Sequence, residues 1–430
     1  MSFLLKSGER ISKTTVQARK ASLSDGKRGR NEMNITPFIV LCSAGLFAIF
    51  SSTISKSPVL PIFAAHLGAG PSGVGFVASV SAFTGVVMSI PAGIFADRLG
   101  KRKMLVFSAI VFSTAPFLYL FVTNIYQLAL IRLYHGLATA IFLPVAMALV
   151  SELFHKERGE KIGWFSTSTL IGRFIAPIAG GSIIGALVFN PAVSYKVVYL
   201  ICGAAGIITL LLTFKIPVTE ERQKKTPSWQ ETVRIFKTVI TNKRIIITSA
   251  VEASILFAYG TFETFIPLYA LGMGLNAYEV GIFLSSQVIT LALMKPLMGK
   301  FSDRHGRQPQ IFLGAVMGAF CIGGFSFFKS FIPLLVLSIL FGLSLSVVTS
   351  ATSAFIADLS RAEGRGSAMG VLGSIMDIGH TTGPLVSGFI ATYSGIANSF
   401  IGASLVLVLA ACIFLMSVMR SKEMRSVKHI

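Results

Sequence analysis

The stretch that decides the fold is GIFADRLGKRK at residues 93–103, which returns in a shorter form as GKFSDRHGR at residues 299–307. Each copy follows a long apolar run and contains glycines, one aspartate and basic residues. The copies lie 206 positions apart, and this register holds along much of the chain, changing to 207 after one inserted residue. The sequence therefore predicts two related halves. Aligned pairs include Pro61 with Pro267, Gly75 with Gly281, Gly136 with Gly342, Glu152 with Asp358, Gly172 with Gly379 and Pro177 with Pro384.

Apolar residues make up 53% of the 430-residue chain and charged residues only 13%, whereas soluble domains carry about 25% charged residues. The apolar excess lies in runs of about twenty residues or more, long enough to cross a hydrocarbon core about 30 Å thick. We therefore predict an all-α membrane protein with twelve transmembrane helices. The predicted spans are residues 35–62, 72–96, 104–123, 125–151, 162–189, 195–215, 245–271, 278–299, 310–329, 331–357, 367–393 and 396–418.

The net charge of +20 comes from basic residues that flank the apolar runs and do not form one face of a domain. This pattern argues against nucleic-acid binding. With both chain ends on one side, 32 of the 38 Lys and Arg residues lie in tails and loops on that side. Only Lys196 and Lys329 lie on the other side. By the positive-inside rule, both termini of this multi-pass protein are predicted to be cytosolic at the cell membrane.

The longest loop on the cytosolic side, residues 216–244, separates two predicted six-helix bundles at residues 35–215 and 245–419. Six spans in each half with matching direction indicate a parallel repeat about an axis along the membrane normal. Within the loop, Ser228 and Glu231 have the spacing of a capping box. We predict a short amphipathic helix there on the inner membrane surface, and a partner-docking segment is the alternative.

Two short polar tails flank the bundles. Residues 1–34 carry eight Lys and Arg residues and no apolar core of a secretory signal, so a cytosolic tail is predicted. A transit peptide, which has a similar composition, is the alternative, and translation could start at Met1 or at Met33. Residues 420–430 are predicted to form a second cytosolic tail, and we expect a monomer surrounded by the lipid bilayer.

The doubled motif has a physical rationale of its own. Glycine lets a helix end in a tight turn, and a carboxylate can cap the N-terminus of a helix from the other half. Adjacent arginines can pair with acids at the inner ends of spans four and ten. We predict a gate that forms when the inner side is closed, because plain positive-inside topology explains the basic residues but not the paired aspartates and glycines. The predicted gate residues are Gly93, Asp97, Arg98, Gly100, Arg102, Gly299, Asp303, Arg304 and Gly306, with Glu152 and Asp358 as partners; Asp97 should cap near Gly366 and Asp303 near Lys161.

Spans five and eleven carry glycine and proline at a repeated spacing, which permits close helix packing and a bend. The positions are Gly163, Gly172, Pro177, Gly180 and Gly181 in span five, and Gly370, Gly379, Gly383, Pro384 and Gly388 in span eleven. With the doubled motif, this pattern resembles the major facilitator superfamily, and the spacing resembles the antiporter motif of its drug/proton antiporter branch. Ala176 and Ser387 stand where that motif has glycine. In span four, Arg132, His135 and Gly136 are similar to another motif of the family, with His135 in place of Gln.

The resemblance implies two six-helix bundles around a central cavity, which rock to give alternating access. The chain has no nucleotide-binding loop, so we expect a proton gradient as the energy source and no cofactor. No catalytic constellation stands out, so an enzyme is not expected. The four cysteines lie inside apolar runs, without the spacing of a disulfide framework or a metal site, and no metal is expected.

Seven charged residues lie inside the predicted spans, where a charge costs about 2.5–3.5 kcal/mol even on lenient insertion scales. They are Lys56, Arg132, Arg173, Glu252, Glu263, Lys295 and Asp377. Matching depth predicts an outer-leaflet cluster of Glu263 with Arg132 and Lys56. The structural alternative is that such groups form buried salt bridges that only hold helices together, although a buried pair stabilises poorly relative to apolar packing.

A second predicted cluster, near the membrane midplane, contains Asp377, Arg173 and His380. Glu252, Tyr259 and Glu263 share one face of span seven. Tyr259 and Glu263 follow Glu252 by seven and eleven residues, which are close to whole numbers of helical turns. We expect that face to line the cavity. Acids held in a low-dielectric cavity take up protons more readily than acids in water. Glu252, Glu263 and Asp377 are therefore the candidate proton carriers. His135 is a candidate relay, with a hydrogen-bonded packing role as the alternative.

Together these patterns predict a secondary active transporter that exports a hydrophobic or amphiphilic small molecule in exchange for protons. The rival within the same fold is a proton-coupled transporter of a polar metabolite, such as a sugar or an amino acid. Few Asn or Gln residues in spans one and seven favour an apolar cargo. A membrane sensor with this fold would be expected to carry a sizeable soluble module. The sequence predicts no such module, so we disfavour a sensor.

Overall fold

The computed structural model describes residues 37–154, 157–216, 241–359 and 365–426. Within these ranges the chain forms twelve long helices and no strand. The helices are α1 (Pro37–His66), α2 (Pro71–Leu99), α3 (Lys101–Leu118), α4 (Ile125–Leu153), α5 (Arg158–Ala186), α6 (Pro191–Phe214), α7 (Lys243–Gly272), α8 (Ala277–His305), α9 (Arg307–Gly324), α10 (Phe331–Leu359), α11 (Arg365–Ser394) and α12 (Ile396–Ser426), with a turn at 55–58 inside α1. They correspond one to one with the predicted spans. The chain enters α1 and leaves α12 at the same end of the bundle, which we call the terminal side, and the opposite end is the far side.

Ten of the twelve helices are long and apolar enough to cross a membrane by length and composition alone. The exceptions are α9 and α11. Four residues at the start of α9, Arg307 to Gln310, lower its mean hydropathy, whereas α11 carries an aspartate, a histidine and several hydroxyl side chains along its length. Large apolar side chains such as Phe320, which is 80% exposed, cover the outer surface, as expected for a protein surrounded by lipid.

Several helix ends differ from the predicted limits. The third helix begins at Lys101 rather than at residue 104, because Gly100 adopts a left-handed φ of 98° and turns the chain within one residue. Gly306 has a φ of 91° and makes the same turn between α8 and α9. Only glycine adopts this conformation without a steric penalty. The last helix continues to Ser426, beyond its predicted end at residue 418.

Each half has its own apolar core, and the halves meet through two helix pairs, α2 with α11 and α5 with α8. These pairs are equivalent in the two repeats. A Cβ atom added at Gly281 on α8 would lie 2.6 Å from the carbonyl oxygen of Pro177, and one added at Gly388 on α11 would lie 2.8 Å from that of Pro71. The backbones therefore touch near the far side, where a side chain at either glycine would force the helices apart.

Hydrogen bonds add to the contact between the halves near the far side. The backbone N–H of Ser72 donates to Thr392 Oγ1 at 3.0 Å, and Ser285 Oγ donates to the carbonyl oxygen of Phe174 at 2.7 Å. Together with the glycine crossings, these bonds close the far end of the space between the bundles.

Three predicted features lie outside the described residues. They are the whole tail at residues 1–34, the amphipathic helix predicted from Ser228, and the end of the tail at residues 420–430. The exact limits of the two bundles, residues 35–215 and 245–419, remain a prediction.

Candidate transport cavity

A cavity of about 460 Å³ lies between the halves. This volume falls in the range of about 300–1,000 Å³ that is typical of small-molecule sites. Helices α1, α2, α4 and α5 supply one wall, and α7, α8 and α11 supply the other. Eight of the nine predicted cavity residues line it: Lys56, Arg132, His135, Arg173, Tyr259, Glu263, Asp377 and His380.

An ion pair joins the two halves across this cavity. Lys56 Nζ on α1 lies 2.7 Å from Glu263 Oε2 on α7, and the side chains are 19% and 9% exposed. His380 Nε2 on α11 lies 3.2 Å from both Lys56 Nζ and Glu263 Oε2. When protonated, this nitrogen donates a hydrogen bond to the carboxylate, and when unprotonated it accepts one from the ammonium, so it serves one partner at a time. Since Lys56 comes from the N-terminal half and Glu263 from the C-terminal half, their ion pair is a charged tie between the halves.

Arg132 does not join this cluster, which corrects the predicted outer-leaflet set. Its guanidinium donates to hydroxyls of the same half, at 3.3 Å to Ser55 Oγ, 3.4 Å to Tyr119 Oη and 2.9 Å to Ser81 Oγ. Only 3% of the residue is exposed. Span limits do not reveal the hydroxyls on neighbouring helices that bind the NH1 and NH2 groups of the guanidinium.

His135 lies beside this arginine on α4, almost fully buried. Its Nδ1 lies 3.4 Å from Tyr119 Oη, and its Nε2 has no hydrogen-bond partner among the described residues. The ring packs edge-on against Phe112 and borders the cavity. This position is compatible with a packing role as well as with a relay, and both remain predictions.

The predicted midplane cluster of Asp377, Arg173 and His380 is also corrected. His380 Nε2 instead lies 3.2 Å from Glu263 Oε2 on α7. Asp377, three residues earlier, is about 60° away around α11, so the two side chains share a face but not a partner. Within the described ranges no ion pair joins Asp377 to Arg173, although both line the cavity. Asp377 instead faces α2 of the other half, where a Cβ atom added at Gly85 would lie 3.2 Å from Oδ2.

Glu252 lies outside the cavity, which corrects the prediction that the whole acidic face of α7 lines it. The residue is 0% exposed, and its Oε2 accepts a hydrogen bond from Thr352 Oγ1 on α10. Its Oε1 has no hydrogen-bond partner among the described residues. The helical period placed Glu252 and Glu263 in one direction, but α10 covers the terminal half of that face, and periodicity does not say which neighbour covers each level.

The doubled motif forms equivalent ion pairs in the two halves. Lys101 Nζ lies 3.1 Å from Glu152 Oε2, and Arg307 Nε lies 3.0 Å from Asp358 Oδ2. The cations are therefore the first residues of α3 and α9, which the sequence reading overlooked although they align at the 206-residue shift. The arginines that were predicted to pair with Glu152 and Asp358 do not form these two ion pairs.

Those predicted cations are Arg98, Arg102 and Arg304. Arg98 and Arg304 are exposed, and Arg102 donates to the carbonyl oxygen of Phe214 at 3.1 Å. Asp303 pairs with Arg307 in this structure, which is closed on the far side. The cap expected near Lys161 belongs to the state closed on the inner side and stays a prediction. The surroundings of Gly93 and the side chain of Asp97 lie outside the described set, so the capping contact expected for Asp97 stays a prediction.

The glycines of the antiporter-like motif lie mostly at helix crossings. A Cβ atom added at Gly172 would lie 2.5 Å from the carbonyl oxygen of Leu46 on α1, and Gly379 and Gly383 crowd the α7 backbone. Gly180 contacts side chains of α1, and Gly181 crosses α8. Gly163 differs, since nothing lies within 4 Å of an added Cβ atom.

These features, twelve helices in two repeated halves around a polar cavity, agree with the comparison with known families. The model of the Major Facilitator Superfamily matches residues 41–286 and 273–429. The chain belongs to this superfamily, and it is a multi-pass membrane transporter rather than an enzyme.

Relatives within the superfamily include a named efflux pump and a named multidrug resistance protein. The chain is 25% identical over 404 residues to the multi-drug resistance efflux pump PmrA of Streptococcus pneumoniae, covering 90% of this chain and 96% of that one. It is 23% identical over 383 residues to multidrug resistance protein 2 of Bacillus subtilis, covering 85% and 90%. A solved structure of a variant of the nucleoside transporter NupG superposes with a TM-score of 0.75 at 18% identity, covering 89% and 99%, and supports the fold.

Proposed function

We propose that this transporter exports a hydrophobic or amphiphilic small molecule across the cell membrane in exchange for protons. The observation that carries the proposal is the Lys56–Glu263 ion pair, because it joins the two halves inside the cavity and one of its members can bind a proton. The relative PmrA, which is named as a multi-drug resistance efflux pump, supports export. Both chain ends are cytosolic in this proposal, because basic residues are concentrated on the terminal side.

In the empty carrier, the Lys56–Glu263 ion pair acts as a lock, which here means that it keeps the two halves from separating at the far side. While Glu263 is ionised and paired with Lys56, the tie holds the halves together at the far side of the cavity, next to the glycine crossings. A proton that neutralises Glu263 removes the attraction. A cargo that binds one member of the pair in place of the other has the same effect.

A proton and a cargo both release the Lys56–Glu263 pair, and this shared effect provides a basis for exchange. A carrier loaded with either a proton or a cargo can open to the far side, whereas the empty carrier stays closed there. Exchange then requires that a proton from the far side binds Glu263 before the Lys56–Glu263 pair forms again, so that the carrier returns inward with a proton. Asp377 is the second candidate carrier, because it lies in the cavity and faces the opposite half at Gly85.

The test begins with a cargo found by a growth-and-accumulation screen in an efflux-deficient host, with and without a protonophore. That cargo is then followed in proteoliposomes under an imposed pH gradient. Glu263→Gln is expected to lose gradient-driven transport and to retain cargo-for-cargo exchange. Glu252→Gln is expected to retain both, because its carboxyl lies outside the cavity, and Glu160→Gln is the exposed control. Wild-type coupling in both Glu263→Gln and Asp377→Asn would contradict the antiport proposal.

Proton-coupled transport of a polar metabolite is the second candidate. The hydroxyl groups of Ser52, Ser81 and Thr139 and the amide of Gln287 line the cavity, and such groups suit a polar cargo. The same screen separates the two functions, because a polar metabolite would accumulate in the host with the proton gradient and would lose accumulation on addition of the protonophore.

A further inference from the structure

The cavity holds more positive than negative side chains. Lys56, Arg132 and Arg173 supply three cations, and Glu263 and Asp377 supply two carboxylates. With neutral histidines the lining carries an excess of one positive charge. An uncompensated charge in a low-dielectric cavity is costly, so a bound group of opposite charge is favoured there.

The excess is not spread evenly over the three cations. Lys56 is neutralised by Glu263 at 2.7 Å. Arg132 is held by three hydroxyls, which carry no charge, and its buried Nε has no partner among the described residues. Arg173 on α5 lines the same cavity and makes no ion pair within the described ranges. The available positive charge therefore lies on the two arginines, both from the N-terminal half.

Apolar side chains complete the cavity beside these arginines. Leu143 and Pro144 on α4 lie on one wall, and Leu256, Leu284 and Val288 lie on the other. A cargo that used both surfaces would combine an apolar body with one negatively charged group. Arg173 presents a planar fork of donors, which matches a carboxylate in geometry as well as in charge.

We propose that the cargo is an amphiphilic organic anion, such as an aromatic or aliphatic carboxylate, whose charged group binds Arg173. This inference rests on the proposed export function and specifies its substrate class. It also fits the lock, because a carboxylate beside Arg173 competes with Glu263 for Lys56 and so releases the tie between the halves. A cationic cargo would have to displace Lys56 from Glu263 while facing the repulsion of Arg173.

The test measures binding without a proton gradient, so its result is independent of coupling. The full-length protein is placed in nanodiscs of phosphatidylcholine, which has no net charge. Equilibrium dialysis then compares 1-naphthaleneacetate with its isosteric neutral amide, 1-naphthaleneacetamide, and with 2-(1-naphthyl)ethylammonium. A biphenyl series with the same three head groups repeats the comparison. The carboxylate is expected to bind at least about tenfold more tightly than the amide, as for a hydrogen bond to a charged group.

Variants assign the preference to the arginine. Arg173→Gln is expected to bind the carboxylate and the amide equally, with amide affinity unchanged, and Arg173→Lys is expected to restore part of the preference. Lys196→Gln, which removes an exposed cation outside the cavity, is the matched control and should keep the full preference. Equal binding of carboxylate and amide by the unmodified protein overturns the proposal, as does tightest binding of the ammonium compound. Proton coupling could survive either result, because it is measured separately on Glu263→Gln.

Discussion

At the scale of single residues, function depends on how each intramembrane charge finds a partner. Sequence reasoning placed Lys56 and Glu263 at one depth, and the structure puts their charged atoms 2.7 Å apart. The same reasoning failed for Arg132, because three hydroxyls of its own half accept hydrogen bonds from its NH1 and NH2 groups. Charge and depth are readable from a sequence, whereas competition between a distant acid and nearby hydroxyls depends on packing that a single sequence does not encode in its pattern.

Lys56→Gln should convert exchange into leak. The substitution leaves Glu263 with His380, which belongs to the same half, so the charged tie across the cavity is lost. The empty carrier can then open to the far side without a proton or a cargo. We expect net efflux from preloaded proteoliposomes into cargo-free buffer of the same pH to rise several-fold above that of the unmodified protein. Lys196→Gln should show no such rise, and a Lys56→Gln variant that still requires exchange would show that another contact locks the carrier.

At the scale of helices, the sequence predicts which elements exist better than where they touch. Twelve apolar runs gave twelve helices, and the 206-residue repeat anticipated the equivalent turns at Gly100 and Gly306. The glycines of spans five and eleven were expected to pack closely, and the structure shows which backbones they approach. Their partners could not be read from spacing, because a close helix crossing is defined by two segments far apart in the chain.

Gly75→Ala tests whether the far-side crossing controls closure. A Cβ atom at this position would collide with the carbonyl oxygen of Pro384, and neither backbone can yield without moving α2 from α11. We expect a population shift toward the state open on the far side. The measurement is the labelling rate of a cysteine at Thr392 by a membrane-impermeant maleimide, in a background without the four native cysteines, which should rise several-fold. Gly163→Ala is the matched control, since open space surrounds its added Cβ atom, and equal labelling in both variants would contradict the role of the crossing.

At the scale of the whole molecule, the repeat makes the two interfaces between the halves equivalent. Gly75 and Gly281 occupy corresponding places on α2 and α8, and each faces a backbone of the other half. Two equivalent crossings on either side of one cavity act as a pair of rocking contacts, so the halves can move as bodies. The sequence predicted this symmetry but not the side on which the structure is closed, because a repeat pattern is the same in every state of the transport cycle.

Topology is testable independently of transport. Basic residues are concentrated on the terminal side, so residue 20 and residue 225 should face the cytosol. In the background without native cysteines, Lys20→Cys and Lys225→Cys should resist an impermeant thiol reagent in intact cells and react after lysis. Lys196→Cys, on the far side, should react in intact cells and serves as the positive control. Labelling at residue 20 or 225 before lysis would reverse the proposed orientation, and export would then become import.

A covalent lock on the far side should separate cargo binding from transport. Ser72 and Thr392 belong to different halves, and the backbone N–H of Ser72 donates to Thr392 Oγ1 at 3.0 Å. Cysteines at both positions, oxidised to a disulfide, would hold the far side closed while leaving the cavity itself unchanged. We expect transport in proteoliposomes to fall to background on oxidation and to return with reductant, whereas cargo binding persists in both forms. Each single-cysteine variant controls for the oxidant, and transport that continues in the cross-linked protein would show that cargo leaves by a route other than separation of α2 from α11.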